Sequence, residues 1–130
     1  MIHKEIGDKN GQASCYRNLG NVYASVGDYE KASDFLQKSL AISRKIGDRF
    51  TLAMSYRDLG ATFFSLGKYS KANENNQKSL VILTDTGHRE GVASIYLSQG
   101  AVEFSVGNFT KAKEYFEKAL AISKEIGTGN

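Results

Sequence analysis

Proline and tryptophan are absent from this chain, and cysteine occurs once, at Cys15. Without proline, no helix interior loses a backbone donor, so the 13 glycines must supply the punctuation. A lone cysteine excludes an internal disulfide and suits a reducing compartment, which points to the cytoplasm. No apolar run approaches the roughly 20 residues that a membrane-spanning helix needs, so no membrane partner is expected. The opening stretch, MIHKEIGDKN, lacks the apolar centre of a secretory signal. Charge of one sign is lacking too. Seventeen Lys and Arg against 14 Asp and Glu leave a formal charge of +3, with no basic block of the kind that grips nucleic acid.

What is present is a repeat. SVGDYEKA begins at Ser25, SLGKYSKA at Ser65 and SVGNFTKA at Ser105, each 40 residues after the last. Ten of the 13 glycines keep this register: Gly7, Gly47, Gly87 and Gly127; Gly20, Gly60 and Gly100; Gly27, Gly67 and Gly107. The period divides the 130 residues into one array of three units, 6–45, 46–85 and 86–125. Residues 1–5 read as the remnant of a preceding unit, and 126–130 as the start of a following link.

Each unit holds two helical patterns. In the first unit Ala13, Tyr16, Leu19, Gly20 and Tyr23 keep the three-four spacing of one helix face, and Tyr29, Ala32, Leu36, Leu40 and Ser43 keep it again. Gly27 stops the first helix, because glycine enters the left-handed cap conformation without a Cβ clash. The links are too short for anything but a tight antiparallel hairpin. Gly20 and Ala32 are small where the two helices should cross most closely. Two places break the pattern. Gln99 and Glu103 replace Leu19/Leu59 and Tyr23/Phe63, and Asn75 and Asn76 replace Phe35/Tyr115 and Leu36/Phe116. Those polar groups are either paired or reached by solvent in a loosened core, or they mark an interaction surface.

Chemistry needs converging groups, and the sequence holds none. His3 and His88 fall at inter-repeat positions, and Cys15 reads as a small packing residue in mid-helix. No metal-ligand spacing, phosphate-binding glycine loop or carboxylate pair occurs, so neither cofactor nor catalytic residue is expected and the chain reads as no enzyme. The tyrosines fall on core-facing registers, and the lysines are balanced by acids, which argues against base stacking and a nucleic-acid partner.

The first unit reads Tyr16-x2-Leu19-Gly20-x2-Tyr23 followed by Ala32-x3-Leu36, and the second reads Tyr56-x2-Leu59-Gly60-x2-Phe63. This resembles the tetratricopeptide repeat over essentially the whole chain. The 40-residue, proline-free form, with NLGN and GDYEKA, is similar to the repeats of the Pins/LGN spindle-orientation adaptors. The resemblance implies an all-α solenoid of three stacked helix-turn-helix repeats in a right-handed superhelix. It implies a non-catalytic scaffold that holds a partner's peptide segment in a concave groove. The matching groove positions are Ser14, Arg17 and Asn21, then Met54, Arg57, Ala61 and Phe64, then Leu97, Ala101 and Phe104. Arg17, Asn21 and Arg57 are expected to meet acidic groups of such a partner, and Phe64 and Phe104 its apolar ones. The family's clamp for Glu-Glu-Val-Asp tails also wants polar or basic groups where Asp58, Ser94 and Ser98 stand, so the resemblance does not extend to the full clamp. Two further readings are carried. The chain is a self-association module stacking head to tail through Tyr115, Phe116, Ala119 and Ile122, or it is the regulatory array of a larger protein.

Overall fold

The computed structural model describes residues 2–127, with side chains from residue 8 onward. The described residues form six α-helices and no strand: α1 (Ile2–Ser25), α2 (Tyr29–Ile46), α3 (Arg49–Ser65), α4 (Tyr69–Asp85), α5 (Arg89–Ser105) and α6 (Phe109–Gly127). They pair as three antiparallel hairpins, α1 with α2, α3 with α4 and α5 with α6, and each hairpin packs on the next. The three-unit solenoid expected from the period is the observed fold.

The punctuation works as the glycine register implies. Gly27, Gly47, Gly67, Gly87 and Gly107 all take positive φ, between 72° and 87°, where a Cβ would be strained. Asp28 and Asp48 cap the helices that follow by accepting from the N–H groups of Lys31 and Thr51. His88 caps α5 through Nδ1, which accepts from the Gly91 N–H at 3.0 Å. Lys68, at the same place before α4, makes no side-chain cap.

Gly7 behaves differently from its register partners. It lies inside the unbroken α1, and so does His3. Gly127 likewise closes α6, and residues 126 and 127 belong to that helix. Residues 128–130 of the expected link lie outside the described residues.

The core runs through the hairpins. Leu36, Leu59, Phe63, Ala72 and Val102 form one buried cluster, and Ala53, Met54, Leu83 and Ile95 form another. Helices cross closely at the small residues. A Cβ added to Gly20 would stand 2.7 Å from Leu36 Cγ, and one on Gly100 would stand 2.5 Å from Phe116 Cε1. Buried serines add hydrogen bonds: Ser39 with Ser55 at 3.0 Å between the first two hairpins, and Ser79 Oγ to the Ala53 carbonyl at 2.8 Å within the second. Cys15 is exposed on α1 and is not the packing residue its mid-helix position suggested. Its neighbours Ala13 and Tyr16 hold the hairpin face, and one step along a helix points a side chain about 100° away.

Candidate functional site

Successive odd helices touch each other, α1 with α3 and α3 with α5, whereas successive even helices do not. The stack therefore curves with α1, α3 and α5 on its inner side. The residues that face along this inner side belong to the stripe named above, and the structure sorts them into three groups.

The first group is a charged cluster. Arg17 Nε donates to Asp58 Oδ2 at 2.9 Å, and Asn21 Nδ2 donates to the same oxygen at 3.2 Å. Arg57 reaches Asp58 Oδ1 at 3.5 Å. Asp58 is largely covered, and the two arginines keep part of their guanidinium surface in water. The family resemblance implied that Arg17, Asn21 and Arg57 meet a ligand's acid. In the fold, α1 and α3 bring the chain's own carboxylate among them. Below the cluster, a hollow of about 390 Å3 lies between α1 and α3, lined by Asn21, Ala24, Tyr29, Asp58, Ala61 and Thr62 among others.

The second group is apolar. Phe64 is half-buried, its ring 5.7 Å from that of Tyr69, and it packs against the core. Leu97 is exposed and Ala101 half-buried on α5, while Ser14 and Ala61 are exposed. Phe104 is 60% exposed and leans on Phe109, with ring centroids 5.4 Å apart. It lines a second hollow, of about 450 Å3, with Phe116 and Leu120 at the end of the stack. Phe104 thus belongs to the end face as much as to the groove. The third group is a correction. Met54 is 4% exposed, packed with Leu83 and Ile95, and lines no groove: α4 and α5 close over it.

The end-face candidates also divide. Phe116 is 37% exposed, and Tyr115 is half-buried against Tyr96. Ile122 is half-buried, and Ala119 is buried at 2%, turned inward and not presented to a partner. The exposed apolar set is instead Phe104, Phe109, Phe116 and Leu120. At the other end Leu19 and Val22 of α1, and Val26 just after it, are exposed.

The outer side carries features that the spacing did not reveal. Lys38, Lys78 and Lys118 lie over the rings of Tyr16, Tyr56 and Tyr96, with Nζ to centroid distances of 5.4–5.6 Å. This ladder follows the 40-residue register, and the recurrence of lysine 22 positions after each tyrosine was its legible trace. Between α2 and α4, above α3, an outer hollow of about 350 Å3 is lined by Leu40, Arg44, Tyr56, Leu59 and Phe63. The next one along, between α4 and α6, measures about 750 Å3 and is lined by Gln77, Lys78, Gln99, Glu103 and Lys111. The repeat-breaking residues settle there differently from one another. Asn75 donates to the Lys71 carbonyl at 2.8 Å, and Glu103 accepts from Asn108 at 3.1 Å. Gln99 donates to Gln77 at 3.3 Å, but its Oε1 is buried without a partner. Asn76 is buried with neither amide atom paired. Among the described residues, no cluster of three or more His, Cys, Asp or Glu side chains is arranged to hold a metal. No described helix is long and apolar enough to cross a membrane.

A family model described as tetratricopeptide repeat matches residues 2–45 and 12–85, and a second model of that description matches 93–126. The chain belongs to the tetratricopeptide repeat family. Repeats of this family commonly serve protein–protein interaction and are generally non-catalytic scaffolds. No curated protein sequence matches this tetratricopeptide chain. Among solved structures it is similar to the TPR domain of Arabidopsis FLU, with a TM-score of 0.85 and 20% identity over 90% of this chain and 98% of that one. BtubC (BKLC) from P. vanneervenii matches with a TM-score of 0.80 and 26% identity, covering 87% of this chain and 46% of that one. The second TPR of Spaghetti (RPAP3), bound to the HSP90 peptide SRMEEVD, has a TM-score of 0.73 and 18% identity over 92% and 98%. At 18% and 20% identity the likeness shows the tetratricopeptide fold alone.

Proposed function

We propose that the chain is a non-catalytic scaffold that holds an extended segment of a partner protein along the face of α1, α3 and α5. The observation that carries this reading is the chemistry of that face. A preassembled Arg17–Asn21–Asp58–Arg57 cluster stands beside Phe64, Leu97 and Ala101, on one curved surface. A similar fold, the Spaghetti repeat, holds a peptide that ends in acidic residues. Here two guanidinium groups face one internal carboxylate, so the cluster keeps a cationic excess on the side turned to solvent. A ligand carboxylate meets Arg57 and the outer edge of Arg17 by charge-assisted hydrogen bonds, and an apolar neighbour meets Phe64 and Leu97.

The test is selection from a displayed peptide library, followed by fluorescence anisotropy on the peptides recovered. Arg17→Ala combined with Arg57→Ala should weaken an acidic peptide by about tenfold or more. Asp58→Asn should strengthen it, because it removes the carboxylate that competes for the same guanidinium groups. A library that returns no saturable ligand, or ligands indifferent to all three changes, overturns the reading.

A second reading rests on the two ends. Leu19 and Val22 on α1 with Val26 just after it, and Phe104, Phe109, Phe116 and Leu120 on α5 and α6, are the apolar sets that a neighbouring hairpin covers in the middle of the stack. A second copy of this chain presents the complementary set, and unlike faces meeting head to tail form a contact that need not close. Sedimentation should show weak, concentration-dependent association that Phe116→Glu with Leu120→Lys removes. A clean monomer at all concentrations sinks this second reading.

A further inference from the structure

Asn76 stands where the first and third repeats place Leu36 and Phe116. It is 1% exposed, and neither its Oδ1 nor its Nδ2 has a hydrogen-bond partner in the protein. A buried amide with both ends unmet is costly, and nearly all such groups in folded proteins find a partner. Asn76 does not stand in a sealed core. It lines a hollow of about 90 Å3 between α3, α4 and α5, together with Gly60, Ala61, Phe64, Ser98, Ala101 and Val102. Ala61 is exposed, while Phe64, Ser98 and Ala101 are half-buried, and all four belong to the inner face of the stack. The hollow therefore lies beneath the groove, with apolar walls and an amide within.

We propose that this hollow is a side-chain subsite of the peptide groove and takes a small hydroxyl side chain, threonine first and serine second. The inference rests on the groove reading above and deepens it. Size sets the upper limit: about 90 Å3 is a few times the space of one water molecule, enough for the three heavy atoms of a threonine side chain. Polarity sets the choice. Asn76 presents one unmet donor and one unmet acceptor, and a hydroxyl both donates and accepts. The threonine methyl then meets Ala101 and Val102. A leucine or phenylalanine side chain is too large, and valine fills the space while leaving the amide unpaired. Gly60 is part of the device: a Cβ there would collide with Asn76 Oδ1, so glycine lets the amide sit against α3.

The experiment uses the whole chain, isotope-labelled, with two capped amino acids of nearly equal shape: N-acetyl-threonine methylamide and N-acetyl-valine methylamide. The reporter is the Asn76 side-chain N–H pair in nuclear magnetic resonance spectra. Saturable shifts of that pair are expected, with threonine binding about fivefold more tightly than valine. Asn76→Leu restores the residue type of the first repeat, should fold at least as well, and should erase the preference as read from the backbone amides of Gly60, Ala101 and Val102. Gly60→Ala should weaken threonine binding by forcing the amide aside. An Asn76 pair that never moves, or that responds equally to both compounds, overturns the subsite and leaves a buried amide with structural water only. A library peptide that perturbs Phe64 and Leu97 but not Asn76 also overturns the subsite while the groove stands. A threonine response with no extended peptide bound anywhere supports the hydroxyl site and removes the groove around it.

Discussion

The middle and last hairpins spell the same pattern, yet they bury opposite chemistry. At one repeat position the middle hairpin buries an amide, Asn76, to 1%, while the last leaves a phenylalanine, Phe116, 37% exposed. Phe64 is half-buried and Phe104 exposed; Tyr69 is half-buried and Phe109 exposed; Leu80 is half-buried and Leu120 exposed. The difference is coverage. Helix α5 of the next hairpin packs on α4, whereas among the described residues α6 packs only on its own hairpin partner, α5. In a solenoid each hairpin takes its burial from its neighbours, so place in the stack outweighs residue type. Asn76 is the exception worth explaining, because it sits where coverage is most complete and polarity costs most. A residue that breaks the local rule at a well-covered position is where function is sought.

The comparison breaks most sharply on truncation. Leu36→Ala, in the covered first-repeat counterpart of Phe116, should cost about 2–5 kcal/mol in urea unfolding. Phe116→Ala should cost less than half of that, since part of its ring already meets water. Equal losses would mean that coverage is not what separates the hairpins. Asn76→Leu should raise stability by about 1–3 kcal/mol, because it removes an unpaired buried amide and adds apolar burial. A destabilised variant would show that the amide is satisfied in solution. Smallest is the cap before α4. Lys68→Asp supplies the acceptor that Asp28 and Asp48 supply elsewhere, and should add about 0.5–1 kcal/mol and slow amide exchange in the first turn of α4. Unchanged exchange there would mean that the missing acceptor does not fray the first turn of α4.

Tyr56 keeps the core-facing place that its register implied and gains partners that the register did not name. In the fold it is buried under Lys78 and accepts a 2.6 Å hydrogen bond from Arg44, which arrives from the preceding hairpin. Asp58 shows the same for the groove. Its position marked a departure from the family's clamp, but its bonds to Arg17 and Asn21 span 41 and 37 residues. Within one repeat no such pairing is visible. Met54 and Cys15 fail for a simpler reason: three-four spacing says which residues share a face, but not where that face ends.

The sequence by itself determined the number of hairpins, the sites of their turns and the close crossings at Gly20, Gly60 and Gly100. Those depend on chain geometry that repeats every 40 residues and on glycine's freedom from a Cβ. The tertiary structure alone decided that Asp58 would occupy its own arginines, and that Asn76 would lie unpaired beneath the inner side of the stack. Each of these depends on which helix lies next to which residue, and contact between hairpins is a property of the stack, absent from any single repeat.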